Sequence, residues 1–352
     1  IDLYRGTGVV CGEHLVKVMP GEEEVTADYI LLAAGSEPSS LPIPGMDLPG
    51  VKNSTQMLEE ECVPDRLVII GGGVIGMEFA TVYNDLGCQV TVLEAMDKIL
   101  PGMDKEISQN LKMIMKKRGV DIHTGAMVSS VEKMGDGTYL CRYTEKEKKC
   151  EATAALILSA VGRRPLSRGL FSEDMQERIE MERGRVLVNE RYETSVPGIY
   201  AIGDLIGGIC LAHVAAAEGC QAASAMFPEL KGKDMTVIPS CVYTDPEIAC
   251  AGFTADEAKA AGIDTATGKY IMSVNGKSVL SMQDRGFLKI VSEKETGRIL
   301  GAQLMCARAT DMIGELELAI SKRLTAEDLA AVIMPHPTFC EGIGEAAESI
   351  LM

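Results

Sequence analysis

Apolar residues run through this chain in two rhythms. Short unbroken runs closed by glycine read as buried strands, and longer stretches with apolar residues every three or four positions read as helices. Residues 28–35 give the first strand, Ile30 to Ala34 closed by Gly35. A proline-rich stretch follows, with Pro38, Pro42, Pro44 and Pro49, which excludes helix interior. Residues 66–70 are a second apolar strand, 71–76 a glycine turn, 77–86 a helix stopped by Gly87, and 89–94 the next strand. Asp104 is placed to cap a helix through Arg118, with Lys116, Lys117 and Arg118 at its negative dipole end and Gly119 behind it. Short strands are predicted near 120–123, 127–133, 138–143 and 155–160, with a turn at Gly135-Asp136-Gly137. Another strand, 198–204, precedes an alanine-rich helix over 211–226. Beyond Phe227-Pro228 the pattern mixes helices at 254–261, 311–323 and 325–333 with strands near 269–274, 286–292 and 298–305. Thr254-x-x-Glu257 is a capping box, and Ile313, Leu316 and Ile320 share one helix face. Alternating strands and helices predict an α/β fold, followed by an α+β block over 236–352.

Composition narrows the function. The 352 residues suit two or three domains. Lys plus Arg is 34 against 51 for Asp plus Glu, a net charge of −17, which argues against nucleic acid as a partner. No apolar run of about 18 residues is present, so no membrane-spanning helix is expected. The 11 cysteines form neither Cys-x-x-Cys nor Cys-x4-Cys pairs. With only His14, His123, His213 and His336 as further soft ligands, no metal site is expected. Free thiols fit a reducing compartment, and a cytoplasmic location is expected. The opening Ile1-Asp2-Leu3-Tyr4 reads as the interior of a longer sequence.

Gly71-x-Gly73-x-x-Gly76 lies between a strand and a helix, and the next strand ends in Glu94. Gly71 makes the tight turn, Gly73 admits a pyrophosphate to the backbone, and Gly76 lets helix pack on strand. Glu94 accepts from adenine-ribose hydroxyls and repels a 2′-phosphate, which selects NAD over NADP. Glu78, in the first turn of that helix, reads either as a dipole partner or as a neighbour of the nicotinamide. Gly203-Asp204 places a carboxylate at a strand's carboxyl edge, as a ligand contact or a simple cap. His336 and Glu341 form a candidate acid/base pair, in which the carboxylate fixes the imidazole tautomer. A structural role remains open for the same pair.

Taken together these segments resemble the two-dinucleotide-binding disulfide oxidoreductases, and among them the dihydrolipoamide dehydrogenases. The resemblance is carried by Leu31-Leu-Ala-Ala-Gly-Ser-Glu-Pro38, Val68-Ile-Ile-Gly-Gly-Gly-Val-Ile-Gly-Met-Glu78, Ala160-Val-Gly-Arg-Arg-Pro165, Ile199-Tyr-Ala-Ile-Gly-Asp204, Leu211-Ala-His213, Tyr243-Thr-Asp-Pro-Glu247 and His336-Pro-Thr-Phe-Cys-Glu341. It implies NAD contacts at Gly71, Gly73, Gly76, Glu78, Glu94, Val128 and Gly162. It implies FAD contacts at Ala34, Gly35, Ser36, Asp204, Cys210, Leu211, Ala212 and His213, with Asp204 on the ribityl chain. His336 matches the family's catalytic acid/base and Glu341 its partner, and the C-terminal domain implies a homodimer in which this His serves the other subunit's site. Ala34 stands where Thr is usual, and Met334 where another His is common.

The family's leading FAD turn and its Cys-x4-Cys disulfide have no counterpart in these residues. The expected organisation is therefore a Rossmann-like NAD domain (65–160) inserted in an incomplete FAD domain (1–64 and 161–235), followed by an α+β dimerisation domain (236–352). By resemblance the whole enzyme oxidises dihydrolipoamide, free or on a lipoyl-bearing protein, with NAD⁺ through FAD and a redox disulfide. The chain as it stands is expected to be inactive and to hold FAD weakly. Alternatives are a glutathione or mercuric reductase, a soluble transhydrogenase, or a non-catalytic NAD-binding and dimerisation module. Glu94 speaks against the NADPH-using reductases.

Overall fold

The computed structural model describes residues 1–21 and 23–352. The chain divides into two compact units, Ile1–Ser39 with Gly162–Met235, and Ser40–Val161 with Thr236–Met352. This differs from the boundary expected after residue 64. The reason is a pairing: Val51–Asn53 joins Leu156–Ser159 in parallel, which ties residues 40–64 to the sheet that follows.

In the first unit, Thr7–Gly12, Leu15–Met19 and Glu23–Thr26 form an antiparallel meander. Ile30–Leu32 pairs in parallel with Ile199–Ala201, and Ser36–Pro38 pairs antiparallel with Arg163–Pro165. Ile30, Leu32, Ile199 and Ala201 are buried with Val10, Phe171, Met175 and Leu205, while Leu31 faces outward on the alternate face. Both parallel strands therefore end at the same edge, one leading to Gly35-Ser36 and the other to Gly203-Asp204. The helix Ala212–Met226 follows.

The second unit holds a five-stranded parallel sheet. Its order is Val51–Asn53, Leu156–Ser159, Arg66–Ile70, Gln89–Glu94, Asp121–Thr124. Leu67 to Ile70 are all buried, as a strand covered on both faces requires. The crossovers are the helices Val74–Asp85 and Lys105–Lys117. The first starts ahead of the predicted position because Gly73 acts as its N-cap. Asp104 caps the second as expected, its side chain accepting the Glu106 N–H. A three-stranded antiparallel sheet follows, Ala126–Lys133, Tyr139–Glu145 and Lys148–Ala154.

Residues 236–352 of this unit build a five-stranded antiparallel sheet, in the order Ser240–Val242, Ile248–Gly252, Ile299–Met305, Phe287–Glu293, Thr265–Ile271. Ala309–Ser321, Ala326–Ala330 and Glu341–Leu351 are its main helices. Lys289, from the strand Phe287–Glu293, reaches Asp104 at 2.8 Å and Glu106 at 3.2 Å. The fold class is the expected mixed α/β arrangement followed by an α+β domain.

Candidate active site

The glycine turn is built by close approach. Gly71 has φ of 109°, and a Cβ there would lie 2.3 Å from the Ala160 carbonyl oxygen. A Cβ on Gly76 would lie 2.0 Å from the Gly71 carbonyl oxygen. A side chain at Gly71 would displace the Ala160 main chain, and one at Gly76 would push the helix off the turn. Gly73 differs, since a Cβ there meets nothing within 4 Å. It faces open space at the N-terminus of Val74–Asp85, an end that no side chain caps. Unclaimed N–H donors, the positive end of the helix dipole and free access together suit a pyrophosphate.

Glu94 is buried beside this turn. One carboxylate oxygen accepts the Gly72 N–H at 2.5 Å and the other the Met96 N–H at 2.7 Å. The carboxylate is thus fixed in place, and each oxygen keeps a lone-pair direction for a ribose hydroxyl. Lys98 donates instead to the Met103 carbonyl at 3.0 Å and does not offer a cation here. The turn and the acid fit NAD. Glu78 accepts the Tyr243 N–H at 2.9 Å. Burial pushes its carboxyl up, and that hydrogen bond offsets the rise in part. Val128 lies in the core with Leu93 and Tyr143, which leaves only its main chain to meet a cofactor. Gly162 belongs to the first unit, where its carbonyl accepts the Ser39 N–H at 2.9 Å.

The first unit gathers the residues expected to hold FAD. The Ser36 hydroxyl donates to Asp204 Oδ2, joining the two strand ends. Arg163 donates through Nε to Ser36 Oγ and through Nη2 to the Ser36 carbonyl, both at 2.7 Å. Gly203, with φ of 67°, donates its N–H to Glu218 at 2.7 Å, which fixes the turn carrying Asp204. Burial raises the Glu218 carboxyl, the Gly203 N–H opposes that, and Asp204 adds to it. Ala34 and Gly35 lead into Ser36, and a Cβ on Gly35 meets nothing within 4 Å. Cys210 is exposed, its thiol raised by desolvation and by Asp204. Leu211 is the N-cap of Ala212–Met226 without a side-chain cap, and Ala212 and His213 in its first turn are exposed. This open, polar carboxyl edge fits the polyol part of FAD. No second Gly-x-Gly-x-x-Gly exists in the sequence to hold its phosphates. Sequence reasoning missed Arg163 and Glu218. Arg163 lies within Ala160-Val-Gly-Arg-Arg-Pro165, whereas nothing local marks Glu218.

His336 Nδ1 donates to Glu341 Oε1 at 2.7 Å, and Glu341 Oε2 accepts the Thr338 N–H at 2.8 Å. The Thr338 N–H and then His336 hold the Glu341 carboxyl below its usual range. An ionised Glu341 fixes the proton on Nδ1 and leaves the Nε2 lone pair facing outward. The imidazole is 76% exposed, available to an incoming group. Met334, where the family often has His, packs against the apolar core of this domain.

The profile described as "Pyridine nucleotide-disulphide oxidoreductase" matches residues 1–219, and that of the family's dimerisation domain matches residues 238–347. The chain belongs to the pyridine nucleotide-disulphide oxidoreductase family. Among curated members, a dihydrolipoyl dehydrogenase of Bacillus subtilis is 40% identical, over 99% of this chain and 74% of the relative. A dihydrolipoamide dehydrogenase of Chaetomium thermophilum is 37% identical, over 99% of this chain and 70% of its own length. The HOCl-induced flavoprotein disulfide reductase RclA of Escherichia coli superposes with a TM-score of 0.91 at 27% identity, covering 99% of this chain and 79% of that one. This member of the family is accordingly an oxidoreductase, a flavoprotein of the disulfide-reductase type whose cofactors are FAD and NAD. It carries the family's dimerisation domain.

Proposed function

We propose that this oxidoreductase acts as a dihydrolipoamide dehydrogenase, with the balance dihydrolipoamide + NAD⁺ → lipoamide + NADH + H⁺. The observation that carries this reading is the His336–Glu341 pair, a basic nitrogen on an exposed ring locked by a carboxylate at 2.7 Å. His336 Nε2 takes a proton from the substrate dithiol, and Glu341 stabilises the resulting imidazolium. The thiolate so formed is the nucleophile in disulfide exchange. The redox disulfide itself is not among these 352 residues, which hold no Cys-x4-Cys pair. Bound FAD and NAD supply the electron and hydride transfer. Glu94 anchors the adenosine ribose, Gly73 and the helix N-terminus hold the pyrophosphate, and Glu78 lines the nicotinamide end. Asp204, oriented by Ser36, Arg163 and Glu218, holds the flavin's polyol.

The same reading makes the assembly a homodimer through residues 238–347, with lipoamide or a lipoyl-bearing protein as the substrate. It places the chain in the cytoplasm, in keeping with its free thiols. In the full-length, flavin-loaded enzyme that carries the redox disulfide, His336→Gln should cut the dihydrolipoamide half-reaction at least 100-fold, in line with the usual ~10²–10⁴-fold share of a general base. NADH-to-flavin transfer should stay within about twofold of wild type, because no proton from His336 enters it. Equal loss of both half-reactions would assign His336 a structural role and overturn the proposal.

A further inference from the structure

His123 sits between two carboxylates. Its Nε2 meets Asp121 Oδ2 and its Nδ1 meets Glu145 Oε2, both at 2.8 Å. A neutral imidazole carries one N–H and satisfies one of them, and only the imidazolium donates to both. The two bonds straddle a corner of the chain. His123 and Asp121 lie in the last strand of the parallel sheet, while Glu145 is paired with Ala126, the first residue of the next sheet. Gly125 stands at the corner, with φ of 68°.

That corner supports the adenosine end of the NAD site. Thr124 is the ladder partner of Glu94. The Gly125 N–H donates to the Met96 carbonyl at 2.7 Å, and the Met96 N–H in turn donates to Glu94 at 2.7 Å. We propose that His123 is a positioning residue for NAD binding. As an imidazolium it clasps the Asp121 and Glu145 arms and so holds the Gly125–Met96–Glu94 chain in its binding geometry. Loss of the His123 proton frees one arm and weakens NADH binding. The proposal rests on the reading of Glu94 as the ribose carboxylate.

The Tyr143 ring lies with its centroid 5.5 Å from that of the imidazole. From the helix Lys105–Lys117, Lys112 donates to Thr124 Oγ1 at 2.8 Å, and its ammonium feels the charges of Lys116, Glu145 and Lys146. Partial burial disfavours the imidazolium, but the bonds to Asp121 and Glu145 outweigh it, and His123 titrates above the ordinary histidine value. The sign follows from that direction. The clasp is whole below about pH 6.5, the unperturbed histidine value, and is lost as pH rises through the higher folded value.

The test is NADH affinity, read by nicotinamide fluorescence between pH 6 and 10, beside the His123 titration followed by NMR. In wild type, the Kd for NADH should rise about fivefold, the lower end of typical coupling, with its midpoint at the NMR titration of His123. His123→Gln should bind weakly and without that inflection. Glu145→Gln, which keeps the ring and a hydrogen-bonding partner, should move both midpoints to lower pH. A wild-type Kd flat through the His123 titration, or an unchanged inflection in His123→Gln, would overturn the clasp. Glu94→Ala separates the two layers of the argument. If it weakens NADH binding while wild type stays flat, only the clasp falls. If it leaves NADH binding unchanged, the ribose reading falls and the clasp with it.

Discussion

Gly73 and Gly76 belong to one motif, but the structure gives them opposite vulnerabilities. Alanine at Gly76 sets a methyl 2.0 Å from the Gly71 carbonyl oxygen and 3.4 Å from the Ile69 side chain. The helix and the turn must part by about 1.4 Å to restore van der Waals contact, beside a core where Ile69 and Met77 are fully buried. Overpacking of this kind typically costs about 1–3 kcal/mol, and a backbone oxygen yields less than a side chain. The gain in helix propensity, about 1 kcal/mol, offsets part of it. A net loss of about 1–2 kcal/mol is expected, or a fall of roughly 2–8 °C at the ~2–4 °C per kcal/mol usual for units of this size. Alanine at Gly73 meets nothing, and its backbone, φ −74° and ψ −171°, suits any residue. Thermal stability should therefore change by less than about 0.5 kcal/mol. NADH binding should nevertheless fall at least tenfold, because the methyl fills the space through which the pyrophosphate reaches the helix N–H groups. Thermal melts and NADH titration of both variants decide the matter. A Gly73→Ala protein that binds NADH as wild type does, or a Gly76→Ala protein that is as stable as wild type, would refute this account of the turn.

Two further outcomes follow from other parts of the second unit. Wild type should bind NADH far more tightly than NADPH, and Glu94→Ala should weaken NADH binding while narrowing that preference; equal wild-type affinities, measured by fluorescence titration, would remove Glu94 from the ribose. Lys289→Met should destabilise the second unit by about 3–5 kcal/mol, the usual effect of stranding one partner of a buried pair, because Asp104 and Lys289 side chains are only 9% and 10% exposed; denaturant unfolding checks this, and a loss under 1 kcal/mol would show the pair to be solvent-screened.

The readable parts of this sequence were those where local chemistry and tertiary role coincide. The strand–turn–helix around Gly71 to Gly76 is marked by glycines needed for contact, and the capping signals at Asp104 and Thr254 act within a single turn. The strand Lys148–Ala154 went unseen because it is polar and largely exposed; it forms by pairing along its whole length with Tyr139–Glu145. The helix Glu341–Leu351 carries no start signal, since its N-cap is Cys340 and no side chain caps it. Glu218 escaped for another reason. Its partner is a backbone N–H across the sheet edge, and no sequence spacing encodes that. The clasp around His123 likewise depends on Glu145 returning beside it through a hairpin.

The parallel pairing of Val51–Asn53 with Leu156–Ser159 bears on how the protein is to be dissected. The linker before it is packed as well, since a Cβ on Gly50 would lie 2.0 Å from the Tyr139 ring. A piece excised from Arg66 onward would leave Leu156–Ser159 with one unsatisfied row of main-chain donors and acceptors, in a strand that itself carries the apolar Ile157 and Leu158. Such a row is a template for pairing with other chains and invites aggregation. A piece that begins at Ser40 keeps its own closing strand, so a search for a well-behaved nucleotide-binding fragment should start there.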